Sequence, residues 1–189
     1  MNKNIKLNKS WTLFLDRDGV INKRPINNYV KNIQQFEFID GVLESLAQLN
    51  KIFGRIIIVT NQQGIAKGLM LDKDLTDIHF YMCQQIEKAG GRIDKIFYCP
   101  ELESSCSNNR KPEIGMGLQA KKHFPEIDFT RSIMVGDTIS DIVFGKNLRM
   151  YTVLITDDND YIRMQDDKEW DMHFLSLNEF TKWVMKMHS

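Results

Sequence analysis

Two carboxylates one residue apart, Asp16 and Asp18, end the apolar run in the stretch WTLFLDRDGVIN. Like charges that close repel and disturb each other's pKa. A bound cation, or a proton shared during chemistry, offsets the repulsion. A third carboxylate, Asp137, closes the apolar run SIMVGD. Two or three hard oxygens converging suit Mg2+, completed by water and a substrate phosphate. With that cation shielding the incoming phosphate, Asp16 can attack phosphorus and form an aspartyl-phosphate. Asp18 sits two residues on, on the same side of an extended chain. It can donate a proton to the leaving oxygen and later take one from water. Gly19 permits the sharp turn that brings backbone N–H groups to phosphate. Thr60 and Asn61 offer a hydroxyl and an amide, which bind phosphoryl oxygens without adding charge. Lys111 supplies positive charge for the transition state, and Arg110 a bidentate grip on a substrate oxygen. Asp141 reads as a support for Lys111 or a water, or as an acid favouring the first turn of its helix.

Those residues lie far apart in sequence, so the elements between them must bring them together. WTLFL, RIIIVT (55–60), KIFYC, SIMVGD and YTVLI read as five strands. The unbroken β-branched run in RIIIVT marks a strand buried on both faces, as in a parallel sheet. Between them, GVLESLAQLNKI, LTDIHFYMCQQIEKAGG, GMGLQAKKHF and TISDIVFGKN read as helices, with LNEFTKWVMKM as a terminal one. The first has apolar residues at helical spacing, and Gly90 and Gly91 stop the second. Alternating β and α elements predict an α/β fold, a doubly wound parallel sheet in a three-layer α/β/α arrangement over residues 1–189 as one domain. Ligands of such sheets bind beyond the carboxyl ends of the strands. Asp16, Thr60, Asn61 and Asp137 all fall at that edge, with Arg110 and Lys111 in the loop beyond the third strand. Each motif alone has a plain reading: a turn, a strand end, a solvated loop, a helix cap. Their joint placement at one edge, supplying nucleophile, acid, cation ligands and positive charge, favours the chemical reading.

Composition excludes several classes. Lys plus Arg equals Asp plus Glu at 25 each, which gives no electrostatic reason to expect nucleic acid or an anionic membrane as partner. No apolar run approaches the roughly 18 residues of a membrane span. The N-terminus is polar and basic, without the apolar segment of a secretory signal. Three cysteines, Cys83, Cys99 and Cys106, cannot all pair within one chain. We therefore expect a cytoplasmic monomer acting on a small phosphorylated metabolite. His79, His123, His173 and His188 show no mutual spacing for a ligand set, and the aromatic and Met residues of FTKWVMKM have the spacing of packing residues.

The motifs FLDRDGV, VTNQQG, RKPEIGM and MVGDTISD together resemble the haloacid dehalogenase (HAD) superfamily of phosphohydrolases. More narrowly, FLDRDGVIN, YV followed by FEFIDGV, VTNQQGIAKG and RKPEIGMGLQAKKHFPEID resemble the subgroup that contains heptose 1,7-bisphosphate phosphatases and histidinol-phosphate phosphatases. The resemblance implies a Rossmann-like sheet without a large cap domain. It implies Asp16 as nucleophile and Mg2+ ligand, Asp18 as acid/base with its main-chain carbonyl on the metal, and Asp137 as a further ligand. It also implies that Thr60 and Lys111 stabilise the phosphoryl group and that Arg110 recognises substrate. Tyr29 and the run Asn61, Gln62 and Gln63 fall where heptose phosphatases contact substrate.

Two departures stand out. The subgroup usually carries a zinc loop, but CPELESSCSNNRKP retains Cys99, has Glu101 where His is expected, and has Cys106 one place off. Two thiolates and a Glu make a poor structural zinc set, so zinc is not expected. Thr138 stands where some heptose phosphatases place a Lys. A basic first loop, with Lys23, Arg24 and Lys31, suits an additional phosphate and favours a sugar bisphosphate over histidinol phosphate. A non-catalytic phosphoacceptor domain is the alternative from another class. It would not need Asp18, and its acceptor Asp follows the third strand, not the first.

Overall fold

The computed structural model describes residues 6–25, 28–157 and 170–188. Its strands are β1 (Thr12–Leu15), β2 (Arg55–Asn61), β3 (Lys95–Cys99), β4 (Ser132–Gly136), β5 (Tyr151–Ile155) and β6 (Met172–Phe174). They form one parallel sheet in the order β3-β2-β1-β4-β5-β6. The helices are α1 (Val42–Ile52), α2 (Asp72–Lys88), α3 (Gly115–His123), α4 (Ile139–Asn147) and α5 (Leu177–His188).

Side chains of period 2 split the strands between two cores. Leu13, Leu15, Ile56, Ile58, Ile133 and Val135 face α1, α2 and α5, where they meet Leu46, Leu49, Ile78, Met82, Phe180 and Val184. Phe14, Ile57, Val59 and Met134 face the other way, onto Met116 and Ala120 of α3 and Phe144 of α4. The apolar runs are continuous because both faces are covered. Among the described residues every helix longer than one turn belongs to these layers, which makes the sheet doubly wound. None of those helices is long and apolar enough to cross a membrane.

The sixth strand is a departure from the five expected. Met172–Phe174 pairs with β5 in the register Val153↔Met172, and all three residues are only half-buried. Three residues on a sheet edge carry too short an alternation to be read. Trp183 of α5 lies against Phe174 and Phe180, so the terminal aromatics do pack.

The order of the strands decides where the site falls. β1 is central, with β2 on one side and β4 on the other, and the winding reverses between β1 and β4. A crevice opens at such a reversal, beyond the carboxyl ends of the strands. Leu15 pairs with Ile58 and Val135, so the residues that follow all three strands emerge side by side.

Candidate functional site

Asp16 continues the ladder by one bond, from its N–H to the carbonyl of Val135 at 2.9 Å, and then the chain turns. Its Oδ1 accepts from the Arg17 N–H at 2.7 Å and lies 2.9 Å from Lys111 Nζ, which orients the carboxylate. Lys111 is a buried hub, 3 % exposed. Its ammonium also donates to Asp141 Oδ1 at 2.6 Å and to the Val59 carbonyl at 2.7 Å, so its three protons meet three acceptors. Asn61 grips the Lys111 backbone from both sides: its amide donates to the Lys111 carbonyl and its oxygen accepts the Lys111 N–H, both at 3.0 Å. That pair of hydrogen bonds ties the end of β2 to the loop carrying Lys111.

α4 supplies the third acid through its own capping. Thr138 opens the helix, and its N–H and hydroxyl donate to Asp141 Oδ2 at 3.1 and 2.7 Å. The other oxygen of Asp141 is thereby turned to Lys111, which fulfils the supporting role expected of it. One oxygen each from Asp16, Asp137 and Asp141 lie within 4.8 Å of one another. Arg24 lies 3.0 Å from Asp137 Oδ2, while Oδ1 of the same residue is buried without a hydrogen-bond partner. Gly19 makes the close approach possible. Its φ is +87°, and a Cβ there would stand 2.0 Å from Asp137 Oδ2.

Burial and mutual repulsion show in the titration. Burial, then the charges of Asp16 and Asp141, raise Asp137 to about 8. Burial also raises Asp16 to about 6, with Lys111 opposing it. Burial works against the Lys111 ammonium, but Asp141 and Asp16 outweigh it and raise its pKa. Three carboxylates facing mainly one lysine are therefore short of positive charge.

Asp18 is held differently. Arg17 Nη2 donates to its two oxygens at 2.9 and 3.0 Å, Asn22 to Oδ1 at 2.8 Å and Gln62 to Oδ2 at 2.9 Å. Burial alone would raise Asp18, yet the Arg17 charge and these hydrogen bonds prevail and lower it. Arg17 is itself fully buried, and its Nη1 reaches His79 Nε2 on α2 at 3.2 Å. Because the guanidinium has only donors, Nε2 must accept and the imidazole proton sits on Nδ1.

A cavity of about 270 Å3 opens over this floor. Asp16, Asp18, Thr60, Asn61, Arg110 and Lys111 line it, as do Tyr29, Gln63 and Arg24 from the surrounding loops. Gln62, expected beside them at the substrate, does not line it. It is buried behind Asp18, donating to Thr60 Oγ1 at 2.9 Å and accepting from Arg17 at 3.2 Å. The physical reason is strand alternation at the end of β2, which turns Gln62 inward where its neighbours turn outward. The side chain of Asp18 is likewise outside the acidic cluster. The sequence alone gives Arg17 and Ser140 no role, reads His79 as no member of a ligand set, and marks Thr138 only as standing where some heptose phosphatases carry a Lys; Thr138 and Ser140 line the wall. The signal for Arg17 was a long cation flanked by carboxylates immediately after a fully apolar strand.

The remaining expected residues lie elsewhere. Cys99 ends β3 inside the second core, and Cys106 is exposed, in a left-handed turn with φ of 50°. Cys99 Sγ is 3.9 Å from Glu101 Oε2. His123 packs on Phe124, His173 meets the Thr156 carbonyl and His188 the Leu7 carbonyl, each remote from the others.

Comparison with known proteins agrees with this architecture. The family described as Polynucleotide kinase 3 phosphatase matches residues 12–179. A D-glycero-alpha-D-manno-heptose-1,7-bisphosphate 7-phosphatase of Mycobacterium bovis is 39 % identical over 138 residues, 73 % of each chain. The D-glycero-beta-D-manno-heptose-1,7-bisphosphate 7-phosphatase of Pasteurella multocida is 33 % identical over 184 residues, 94 % of this chain and 98 % of that one. A crystal structure of the D,D-heptose 1,7-bisphosphate phosphatase from B. bronchiseptica, complexed with magnesium and phosphate, superposes with a TM-score of 0.84 at 24 % identity over 93 % of this chain and 98 % of that one. With four motifs converging at one sheet edge and relatives matching along most of its length, the chain belongs to the HAD superfamily of phosphatases, in the family that includes the heptose 1,7-bisphosphate 7-phosphatases.

Proposed function

We propose that this protein is a Mg2+-dependent phosphomonoesterase that removes the 7-phosphate of a D-glycero-D-manno-heptose 1,7-bisphosphate through an aspartyl-phosphate. The observation that carries the reading is the convergence of Asp16, Asp137 and Asp141 within 4.8 Å above a buried lysine. The donor set fits magnesium: all hard oxygens, an excess of negative charge, and an Asp137 oxygen without a partner. Asp16 and Asp137 would hold the ion, with the Asp18 carbonyl. It supplies charge neutralisation, so that a phosphate dianion can approach an aspartate.

The chain's own residues perform the rest. An Asp16 oxygen attacks phosphorus, and the bond from phosphorus to the sugar oxygen breaks. Asp18 gives its proton to that oxygen. A water then attacks the phosphoryl group, Asp18 takes the water's proton, and inorganic phosphate leaves with Asp16 restored. The clamp of Arg17, Asn22 and Gln62 keeps Asp18 ionised, the form needed for the second half. The charge of an arriving phosphate raises it toward the protonated form needed for the first. Lys111 and the Thr60 hydroxyl stabilise the phosphoryl oxygens, and Arg110, Asn61, Gln63, Tyr29 and Arg24 bound the space for the sugar. Three free cysteines fit a reducing, cytoplasmic compartment, and balanced charge fits a small-molecule substrate better than a nucleic acid or an anionic membrane.

Phosphate release tests the reading, with heptose 1,7-bisphosphate and histidinol phosphate as competing substrates. We expect kcat/KM to favour the bisphosphate by about tenfold or more, and both EDTA and Asp16→Asn to reduce turnover about a thousandfold. Wild-type turnover in Asp16→Asn removes that residue from the nucleophile's role. Preferred turnover of histidinol phosphate reassigns the substrate.

A further inference from the structure

The loop from β3 to α3, residues 100–114, has to hold Arg110 and Lys111 at the cavity, and its one regular piece is a short helical turn at Glu103–Ser105. A metal would be one way to hold it, and the sequence retains part of a zinc set. The structure does not assemble that set. Cys99 is buried in the second core and Cys106 is exposed. Among the described residues, the one group of three metal-ligating side chains within 4.8 Å of one another is Asp16, Asp137 and Asp141. The 3.9 Å contact between Cys99 and Glu101 falls far short of the four N or S ligands of a structural zinc.

Hydrogen bonds to α3 do that work instead. Asn109 Oδ1 accepts from Nε2 of Gln119, one turn into the helix, at 2.7 Å. Beside it, the Asn108 carbonyl accepts from the N–H of Gly115, the first residue of α3, at 2.8 Å. Gly115 permits this approach, because a Cβ there would stand 2.3 Å from the Asn108 carbonyl oxygen and 2.5 Å from Asn109 Oδ1. Within the loop, the Asn109 N–H donates to Ser107 Oγ at 3.2 Å and the Arg110 N–H to the Ser107 carbonyl at 3.0 Å. Asn109 is thus a clasp between Ser107 and α3, and Arg110 is the next residue along.

Arg110 and Lys111 depend on that clasp unequally. Lys111 has contacts of its own: Asn61 holds its backbone, and Asp16, Asp141 and the Val59 carbonyl hold its ammonium. The Arg110 guanidinium makes one hydrogen bond among the described residues, a long one of 3.5 Å to the Glu101 carbonyl. Where the Arg110 side chain points is therefore set mainly by where the loop puts its backbone. We propose that Asn109 is the positioning residue for Arg110, fastening to α3 a loop that needs no metal ion. This rests on the reading of Arg110 as a substrate contact.

Two measurements test it. Protein expressed in zinc-supplemented medium and dialysed against excess Mg2+ should carry less than about a tenth of a zinc per chain by elemental analysis, and about one zinc per chain overturns the metal-free loop. In turnover of heptose 1,7-bisphosphate, Asn109→Ala should raise KM severalfold with kcat within about twofold of wild type. Asn109→Asp keeps an acceptor for Gln119 and should restore the wild-type KM. In an Arg110→Ala background, Asn109→Ala should add less than about a twofold change, because the residue it places is gone. A wild-type KM in Asn109→Ala, or the full severalfold rise in the Arg110→Ala background, overturns the positioning role alone. A wild-type KM in Arg110→Ala overturns the reading of Arg110 as a substrate contact, and the role of Asn109 with it. Wild-type protein that releases phosphate from other esters but not from the bisphosphate overturns the substrate assignment, and the same variants are then compared on the ester it does hydrolyse.

Discussion

Gly19 shows how little room single residues have at this site. It must adopt a left-handed conformation and must also leave space for Asp137. Gly19→Ala meets both constraints at once: strain at a positive φ, and a methyl at 2.0 Å from a carboxylate oxygen. We expect a stability loss of about 1–3 kcal/mol in urea and Mg2+ affinity reduced about tenfold or more, read by calorimetry. Affinity within twofold of wild type would show that Asp137 does not depend on that turn. Asn61 makes the same point from another side. Its amide is taken up by the Lys111 backbone at both ends, so its first task is to place the lysine.

Between elements, the link of interest runs from β1 to α2. Arg17 leaves the strand end and joins Asp18, Gln62 and His79, so that the Asp18 carboxylate is braced against α2. Burial and the neighbouring Arg17 charge depress His79 to about 3 from its ordinary 6.5. Between those values the unfolded chain binds a proton that the folded one refuses. The stability this contributes is therefore intact above about pH 6.5 and falls as pH drops, by at most about 1.4 kcal/mol per pH unit. His79→Gln keeps an acceptor for Arg17 but does not titrate. Urea unfolding at pH 7, 6 and 5 should show a shallower loss for the variant than for wild type, and parallel curves would show that His79 is not buried neutral. α4 contributes in the same manner, since its Thr138–Asp141 cap is also what aims Asp141 at Lys111.

At the scale of the whole molecule, acids from β1, the end of β4 and α4 are folded against one another with too few cations among them. A ligand that binds only this folded arrangement stabilises it by mass action, about 2.7 kcal/mol at a hundred times its Kd. For a chain of 189 residues that corresponds to a rise in Tm of roughly 5–10 °C. Mg2+ should raise the Tm of EDTA-treated protein by that amount, and Asp137→Asn should lose most of the rise. An equal rise in the variant would place the ion elsewhere.

The sequence by itself determined the chemistry and most of the frame. Five β-rich runs, the helical spacing between them and the position of Asp16, Thr60, Lys111 and Asp137 at strand ends or just beyond are local patterns, because burial on both faces of a parallel sheet writes itself into contiguous apolar residues. What only the tertiary structure decided is partnership across long separations. It turned Gln62 inward to Asp18, set Arg17 on His79 and paired Arg24 with Asp137. It also laid Lys67 on Tyr29 and added a three-residue strand at the sheet edge. Such contacts depend on which surfaces the packed layers bring within hydrogen-bonding distance, and no periodicity along the chain encodes that.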